Sequence, residues 1–175
     1  MVHQVDYEVL KKLGKVEVRK YPEILLATVT GRQDDSSFGI LFNYISGANR
    51  SQKKISMTAP VVSSEKIAMT APVISDDRFF TFAMPSDYTI DTLPLPSDER
   101  VNIHVQEEKT FGVLRFSGRA NPKLVKKKGT ELLGILADNG IGTRGEVFLM
   151  RYNSPFAPGF MRRNEVGIEI LPKTA

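Results

Sequence analysis

One stretch of the chain combines an apolar stripe with cationic side chains, and that combination could bind a flat ligand. Four apolar residues share the spacing i, i+3, i+4 and i+7 of one helical face: Phe38, Leu41, Phe42 and Ile45. Three cations follow them: Arg50, Lys53 and Lys54. An apolar wall beside a few cations suits a planar hydrophobic molecule that carries carboxylates. On spacing alone, an ordinary core-facing helix with its basic residues in solvent is the favoured interpretation.

Two methionines occupy equivalent places in a short internal repeat. Residues 54–61 (KISMTAPV) recur twelve positions later as residues 66–73 (KIAMTAPV), which places Met57 and Met69 at matching positions. Each copy is predicted to be extended, and its proline has no N–H for a central ladder, so we expect an edge strand or a loop. Thioether sulfur can line a cleft for an aromatic ligand or bind iron. The alternative is that both methionines fill the core.

The residue types in the chain argue against several classes of catalytic site. The chain has no cysteine, which excludes disulfides, thiolate metal sites and a cysteine nucleophile. His3 and His104 are the only histidines, and alternation puts His104 on a polar strand face. Three adjacent carboxylate pairs are interpreted as capping or solvated groups: Asp34/Asp35, Asp76/Asp77 and Glu107/Glu108. The GxGxxG-like run at residues 140–145 follows a predicted helix instead of opening one, so it predicts a turn and not a nucleotide site. We predict no catalytic residue, no metal ligand and no enzymatic activity.

Strand-like and helix-like patterns alternate along the chain. The predicted strands cover residues 7–21, 24–30, 79–84, 101–108, 111–117, 146–152 and 166–170. One helix is predicted from about Asp34 to Gly47 and another from Pro122 to about Asp138. Prolines and polar residues in 85–100 predict a long connection. The order strand–strand–helix–strand–strand occurs twice, which predicts two halves around one shared core with both helices outside.

Length and composition fit one compact domain of 175 residues. The formal charge of +4 does not by itself indicate nucleic acid, and we expect no nucleic-acid partner. The densest basic run, Lys123 to Lys128, is interpreted as a solvated helix face, with phosphate or acidic-lipid binding as the alternative. No apolar stretch approaches the ~20 residues that span a bilayer, and the first residues lack a signal-peptide pattern, so we expect a cytoplasmic protein without a membrane span.

Four passages of the chain closely resemble the SOUL haem-binding protein family. They are the twin segments 54–61 and 66–73, residues 83–96 (AMPSDYTIDTLPLP), residues 113–118 (VLRFSG), and residues 152–156 (YNSPF) with 163–166 (RNEV). They occur in the family's order and, with the matching strands, span nearly the whole chain. The doubled MTAPV and the final RNEV are its most specific parts.

The resemblance implies an α+β fold in which two βαββ repeats form a distorted antiparallel β-barrel flanked by two helices, similar to bacterial effector-binding domains. We expect a single domain over residues 1–175, with pseudo-repeat halves at about 1–85 and 86–175. The resemblance also implies non-covalent binding of haem or a related tetrapyrrole, with no reaction, in an apolar cleft beside the first helix. Mapped onto this chain, the predicted ligand contacts are Phe38, Leu41, Phe42, Ile45, Arg50, Lys53, Lys54 and Met57.

Two positions depart from the family's pattern. Lys20 stands where the member that gave the family its name has an axial histidine, and Asn43 stands where the haem-binding branch has a basic residue. We therefore expect apolar burial to hold the ligand, with any propionates on the cations that follow the first helix. A cofactor-free protein-interaction module and a binder of another small hydrophobic ligand remain open alternatives. A hydrolase on the same scaffold is a third, which the absence of a nucleophile–base pair argues against.

Overall fold

The computed structural model of the chain describes residues 3–30, 35–50, 55, 58–64, 79–153 and 157–173. Within them the fold is α+β, with ten strands and two helices. The strands are β1 (His3–Gln4), β2 (Glu8–Leu13), β3 (Val16–Tyr21), β4 (Ile24–Thr30), β5 (Thr58–Ser64), β6 (Phe79–Ala83), β7 (Asn102–Gln106), β8 (Lys109–Ser117), β9 (Thr143–Arg151) and β10 (Arg163–Ile170). The helices are α1 (Asp35–Ile45) and α2 (Pro122–Asp138), and these elements group into two compact units.

The first unit contains β1, β4, β5, β6, β7 and helix α1. Strand β4 pairs antiparallel with both β6 and β7, and β5 pairs antiparallel with β6 and parallel with the short β1. The β5–β6 register shifts between Thr58 and Val61, at the position of Pro60. Proline lacks an N–H, which accounts for the break. The described part of the first copy is nevertheless a strand paired on both sides, so the prediction of an edge strand or a loop is wrong there. The second copy, residues 66–73, lies outside the described residues.

The core of the first unit is formed by one face of α1, the sheet and the long connection between β6 and β7. Its buried members are Ala27, Val29, Leu41, Tyr44, Ile45, Ile55, Phe82, Met84, Leu93 and Val101. Leu93 and Val101 come from or border the predicted connection at residues 85–100, so that connection is packed structure. It therefore has a fixed position beside α1.

The second unit contains β2, β3, β8, β9, β10 and helix α2. Its strands pair antiparallel in the order β2–β3–β8–β10–β9, and α2 covers one face of this sheet. A Cβ at Gly112 would lie 2.7 Å from Leu136 Cδ1, so the glycine allows the helix to pack closely on β8. The Asn121 Oδ1 accepts a hydrogen bond from the Leu124 N–H at 2.9 Å, which caps α2 at its predicted start.

The prediction of one strand over residues 7–21 is wrong, because the structure has the β2–β3 hairpin there. Gly14 forms the turn with φ 62°, a conformation that costs glycine little and other residues more. The predicted turn after α2 is confirmed, since Gly140 also has a positive φ of 68°. Within each unit the pairings of the described residues leave the sheet open. None of the described helices is long and apolar enough to cross a membrane.

Candidate functional site

Some apolar residues of helix α1 lie in the core and others lie at the surface. Leu41 and Ile45 are 0% and 4% exposed and belong to the core, so two of the predicted ligand contacts pack inside the first unit. Phe42 is 46% exposed and stacks on the partly buried Phe38, with ring centroids 6.0 Å apart. Phe38 also meets Phe82 edge to face at 5.4 Å. The outward part of the predicted stripe is therefore the Phe42 ring, supported from below by Phe38.

An open groove of about 580 Å³ lies along another side of α1. Its lining residues come from the helix, the residues just after it and the connection before β7: Ile40, Asn43, Tyr44, Ala48, Ser97, Asp98, Glu99 and Arg100. One edge of α1 lines the groove, with Ile40, Asn43 and Tyr44 at the spacing i, i+3 and i+4. Because an α-helix has 3.6 residues per turn, this edge points away from the edge that carries Phe38 and Phe42, which we call the Phe38–Phe42 edge. The volume falls within the ~300–1,000 Å³ typical of small-molecule pockets.

Hydrogen bonds hold the two walls of the groove together. The Tyr44 hydroxyl donates to the Pro94 carbonyl at 2.6 Å, and the Arg50 backbone N–H donates to the Leu95 carbonyl at 2.9 Å. The side-chain amide of the buried Asn49 donates to the Tyr44 carbonyl at 3.1 Å. The first two bonds join the end of α1 to the connection and the third fixes the residues after the helix, so the groove is largely formed before any ligand arrives.

The polar wall of the groove is acidic. Arg100 holds Asp98 in a bidentate ion pair, with Nε–Oδ1 at 3.0 Å and Nη2–Oδ2 at 2.7 Å. Hydrogen bonds from the Arg100 side chain and backbone lower the pKa of Asp98 to about 2. Glu99 adds an exposed second carboxylate. This wall therefore carries two carboxylates and one guanidinium, and it disfavours the carboxylates of an anionic ligand.

The groove can contact a porphyrin ring, but its described residues do not provide a ligand for the iron. The described residues of its lining include no histidine, methionine or cysteine. The Tyr44 hydroxyl is occupied, and burial, followed by the effect of Tyr88, raises the pKa of Tyr44 to about 12. His104 is exposed on β7, as predicted, and Lys20 on β3 pairs with Glu108 at 3.2 Å. Among the described residues, no group of three or more His, Cys, Asp or Glu side chains is arranged to hold a metal ion.

Most of the groove is not indicated by the sequence. Asn43 is a departure from the family pattern, whereas no motif or period marks Ile40, Ala48 or residues 97–100 as ligand contacts. No local pattern indicates that the connection before β7 returns to α1. Arg50 is exposed, and the other three predicted contacts, Lys53, Lys54 and Met57, lie outside the described residues, so their role stays a prediction.

A second group of polar residues is buried in the sheet of the second unit. Glu165, 0% exposed, accepts hydrogen bonds from Arg19 Nη1 and Nη2 at 2.8 and 3.0 Å, and from Arg163 Nη2 at 2.8 Å. The two guanidinium groups also lie over aromatic rings, Arg19 at 4.1 Å from the Tyr7 centroid and Arg163 at 4.0 Å from the Tyr152 centroid. Both oxygens of Glu165 therefore accept hydrogen bonds from guanidinium groups.

The charges of this buried network are compensated. Burial tends to raise the pKa of Glu165, but the hydrogen bonds from Arg19 and Arg163 bring it below its usual value. Burial is also the main reason that the pKa of Tyr152 is raised, with the Glu165 charge adding to it, so that phenol stays protonated. The Tyr152 hydroxyl is buried without a hydrogen bond to any described residue. These features describe a structural ion network rather than an acid–base pair.

The lowered pKa of Glu165 predicts a pH dependence of stability. Its folded-state pKa lies below the ordinary value of 4.5, so its contribution is complete above that value and is lost as the pH falls through the folded pKa. We expect the difference in unfolding free energy between wild type and Glu165→Gln to shrink below about pH 4.5. Urea unfolding of both proteins between pH 7 and pH 3 measures this difference. A difference that stays constant down to pH 3 would contradict the lowered pKa of Glu165.

Comparison with known proteins extends these observations. The family model described as SOUL heme-binding protein matches residues 2–169 of this chain. A curated relative, Heme-binding protein 1 of Xenopus tropicalis, is 27% identical over 126 residues, which is 72% of this chain. The match covers 65% of that relative, so the chain spans somewhat less than two thirds of its length.

Solved structures at low identity share the fold. The EcmrR C-terminal domain matches with a TM-score of 0.60 at 11% identity, over 94% of this chain and 98% of that domain. A chain of an EcmrR–DNA complex gives 0.65 at 13% identity, over 89% of this chain and 56% of that one. A hydrolase from Listeria innocua gives 0.58 at 14% identity, over 90% and 92%. Because the family model covers nearly the whole chain, the protein belongs to the SOUL haem-binding protein family.

Proposed function

We propose that this protein binds haem or a related tetrapyrrole non-covalently beside α1, without catalysing a reaction on it. The observation that carries the proposal is the open groove of about 580 Å³ along this helix in a chain of a haem-binding family. The groove has the size of a ligand pocket, and hydrogen bonds preform its walls. Apolar atoms of Ile40 and Ala48 would contact the macrocycle, which favours binding through buried area.

The acidic wall limits how the ligand can lie. Arg100 neutralises Asp98, but Glu99 would repel propionates, so we propose that they point away from Glu99. Exposed Arg50, just past the end of α1, is the described cation best suited to them, and the predicted contacts Lys53 and Lys54 would add to it. The Phe38–Phe42 edge faces away from the groove, so we propose it as the alternative position for the ligand and not as a second contact of a ligand in the groove.

The lining of the groove predicts binding that does not depend on iron. We expect hemin and metal-free protoporphyrin IX to bind with dissociation constants within about threefold of each other, because no described lining residue can ligate the metal. The Soret band and porphyrin fluorescence follow the two titrations, each saturating at one equivalent. His104→Ala should leave both unchanged.

A hemin affinity more than about tenfold above that of protoporphyrin would contradict this prediction, since it corresponds to ~1.4 kcal/mol from the metal. Met57→Leu would then test whether the predicted thioether contact supplies the ligand. Uptake of both compounds that does not saturate would instead favour the cofactor-free interaction module.

The acidic wall favours one second candidate. Asp98 and Glu99 suit a small hydrophobic ligand whose polar end is neutral or cationic. Such a compound would compete with protoporphyrin for the groove. Displacement of bound protoporphyrin, followed by its fluorescence, tests whether the two share the site.

The finer architecture is also a proposal. We propose that the units are copies of one βαββ repeat, β4–α1–β5–β6 and β8–α2–β9–β10, which together form the distorted barrel of a single domain. The pairings support the repeat, because β6 lies between β4 and β5 just as β10 lies between β8 and β9.

A further inference from the structure

Two large apolar side chains project from the second unit. Phe160 and Met161 are 81% and 64% exposed, more than any other described large apolar residue. They lie on the 3-10 turn Gly159–Met161, which precedes β10. Scattered apolar residues are normal on a surface, but two adjacent ones at such exposure indicate a contact surface.

The turn is held in a defined conformation. The Met161 N–H donates to the Pro158 carbonyl at 2.9 Å, and the Arg162 N–H donates to the Gly159 carbonyl at 3.1 Å. The Arg162 Nε also donates to the Ala157 carbonyl at 2.8 Å. Phe160 is therefore presented by a preformed turn, which lowers the entropy lost when it is buried by a partner.

Cations lie next to this turn. A Cβ at Gly159 would be 3.2 Å from Arg119 Cγ, so the Arg119 side chain runs alongside the turn. Lys123 follows four residues later, which limits the separation of the two Cα atoms to about 14 Å. Lys126 and Lys127 share the exposed helical face of Lys123 at i+3 and i+4.

These four cations are not neutralised within the part of the chain that the structure describes. Arg119, Lys123, Lys126 and Lys127 make no ion pair with any described residue, whereas Lys128 in the same run pairs with Glu131 at 3.3 Å. The surface thus combines a projecting aromatic ring with uncompensated positive charge.

We propose that the 159–161 turn and the first half of α2 form a peripheral docking surface for an anionic lipid bilayer. Insertion of Phe160 and Met161 at the level of the headgroups would bury their apolar area, and the four cations would face the lipid phosphates and serines. A single-stranded nucleic acid could meet the same charges and stack a base on Phe160, but it would offer no apolar environment to Met161. An anionic bilayer would bury the two apolar side chains and also neutralise the four cations.

The chain contains no tryptophan, so Phe160→Trp introduces a single reporter into the full-length protein. With phosphatidylcholine vesicles that contain phosphatidylserine, we expect a blue shift of its emission, quenching by brominated lipid and co-sedimentation of the protein. Vesicles of phosphatidylcholine alone should give none of these. Raising the salt from about 0.1 to 1 M should release the protein, because the Debye length falls from ~10 to ~3 Å.

Matched variants test each half of the surface. Arg119→Gln and Lys123→Gln should each weaken vesicle binding about fivefold, whereas the paired Lys128→Gln should change it less than about twofold. Phe160→Ser with Met161→Ser should weaken it at least about tenfold. Ile90→Trp, a reporter at a 53% exposed position of the first unit, should show no quenching.

Three results would overturn the proposal. The first is that the wild-type protein stays in the supernatant with phosphatidylserine vesicles. The second is that brominated lipid quenches the tryptophans at positions 160 and 90 equally. The third is an emission shift with a single-stranded oligonucleotide but not with vesicles, which would assign the surface to nucleic acid.

Discussion

Replacing Glu165 by glutamine is expected to lower the free energy of unfolding by about 3–5 kcal/mol. The variant keeps the shape of the side chain but removes the charge between Arg19 and Arg163, which are held by its two oxygens at 2.8–3.0 Å. Arg19 is only 3% exposed, so water cannot replace the lost partner. Removing one member of a buried ion network leaves an uncompensated buried charge, and that cost exceeds the loss of any single contact.

Glu17→Gln is the matched control for this experiment. Glu17 also pairs with Arg19, with its carboxylate 2.7 Å from Nε, but its side chain is 29% exposed, so solvent screens the pair. We expect less than about 1 kcal/mol for this variant. Urea unfolding of wild type and both variants at neutral pH compares them. A Glu165→Gln value as small as that of the control would mean that the network is dispensable.

Replacing Ala48 by phenylalanine is expected to weaken tetrapyrrole binding about sevenfold. The new ring would occupy the groove and deny the ligand roughly 45 Å² of apolar contact, which at ~25 cal/mol per Å² costs about 1.1 kcal/mol. Ala48 lies in the lining and its own side chain is exposed, so the fold should tolerate the change. Protoporphyrin fluorescence titration gives the ratio of dissociation constants.

Ser46→Phe is the matched control, because it adds the same ring two residues away at an exposed position outside the groove lining. We expect its affinity to equal that of wild type. Phe42→Asp tests the other edge of α1, where the predicted aromatic contact is 46% exposed. If Phe42→Asp abolishes binding while Ala48→Phe leaves it intact, the ligand lies on the Phe38–Phe42 edge and not in the groove.

Hydrophobic periodicity predicted the helices and strands of this protein well wherever the period continues over many residues. The second helix begins at Pro122 behind its Asn121 cap, and the strands lie within a few residues of their predicted bounds. The hairpin at residues 8–21 was missed because its turn occupies only Gly14 and Lys15, and the alternation on either side hides so short an interruption.

The buried network shows why polar residues are hard to assign from sequence. Arg19 and Glu165 are 146 positions apart, and the period of their strands places each on a face that looks solvent-exposed. Residues 163–166 carried a family-specific motif, but nothing in it indicates that its charges are buried. Cross-strand pairing of β3, β8 and β10 brings the two residues together.

The family, the α+β class and the helix beside which a ligand is proposed to bind could be predicted from the amino-acid sequence, because motifs and hydrophobic periods are local properties of the chain. Which side of that helix is open could not be predicted and depends on long-range packing. Leu41 and Ile45 of the predicted stripe are buried in the same core as Phe82 and Met84, while residues 97–100 return to form a groove on another edge. Which face is covered depends on contacts between segments far apart in the chain, and a helical period cannot specify them.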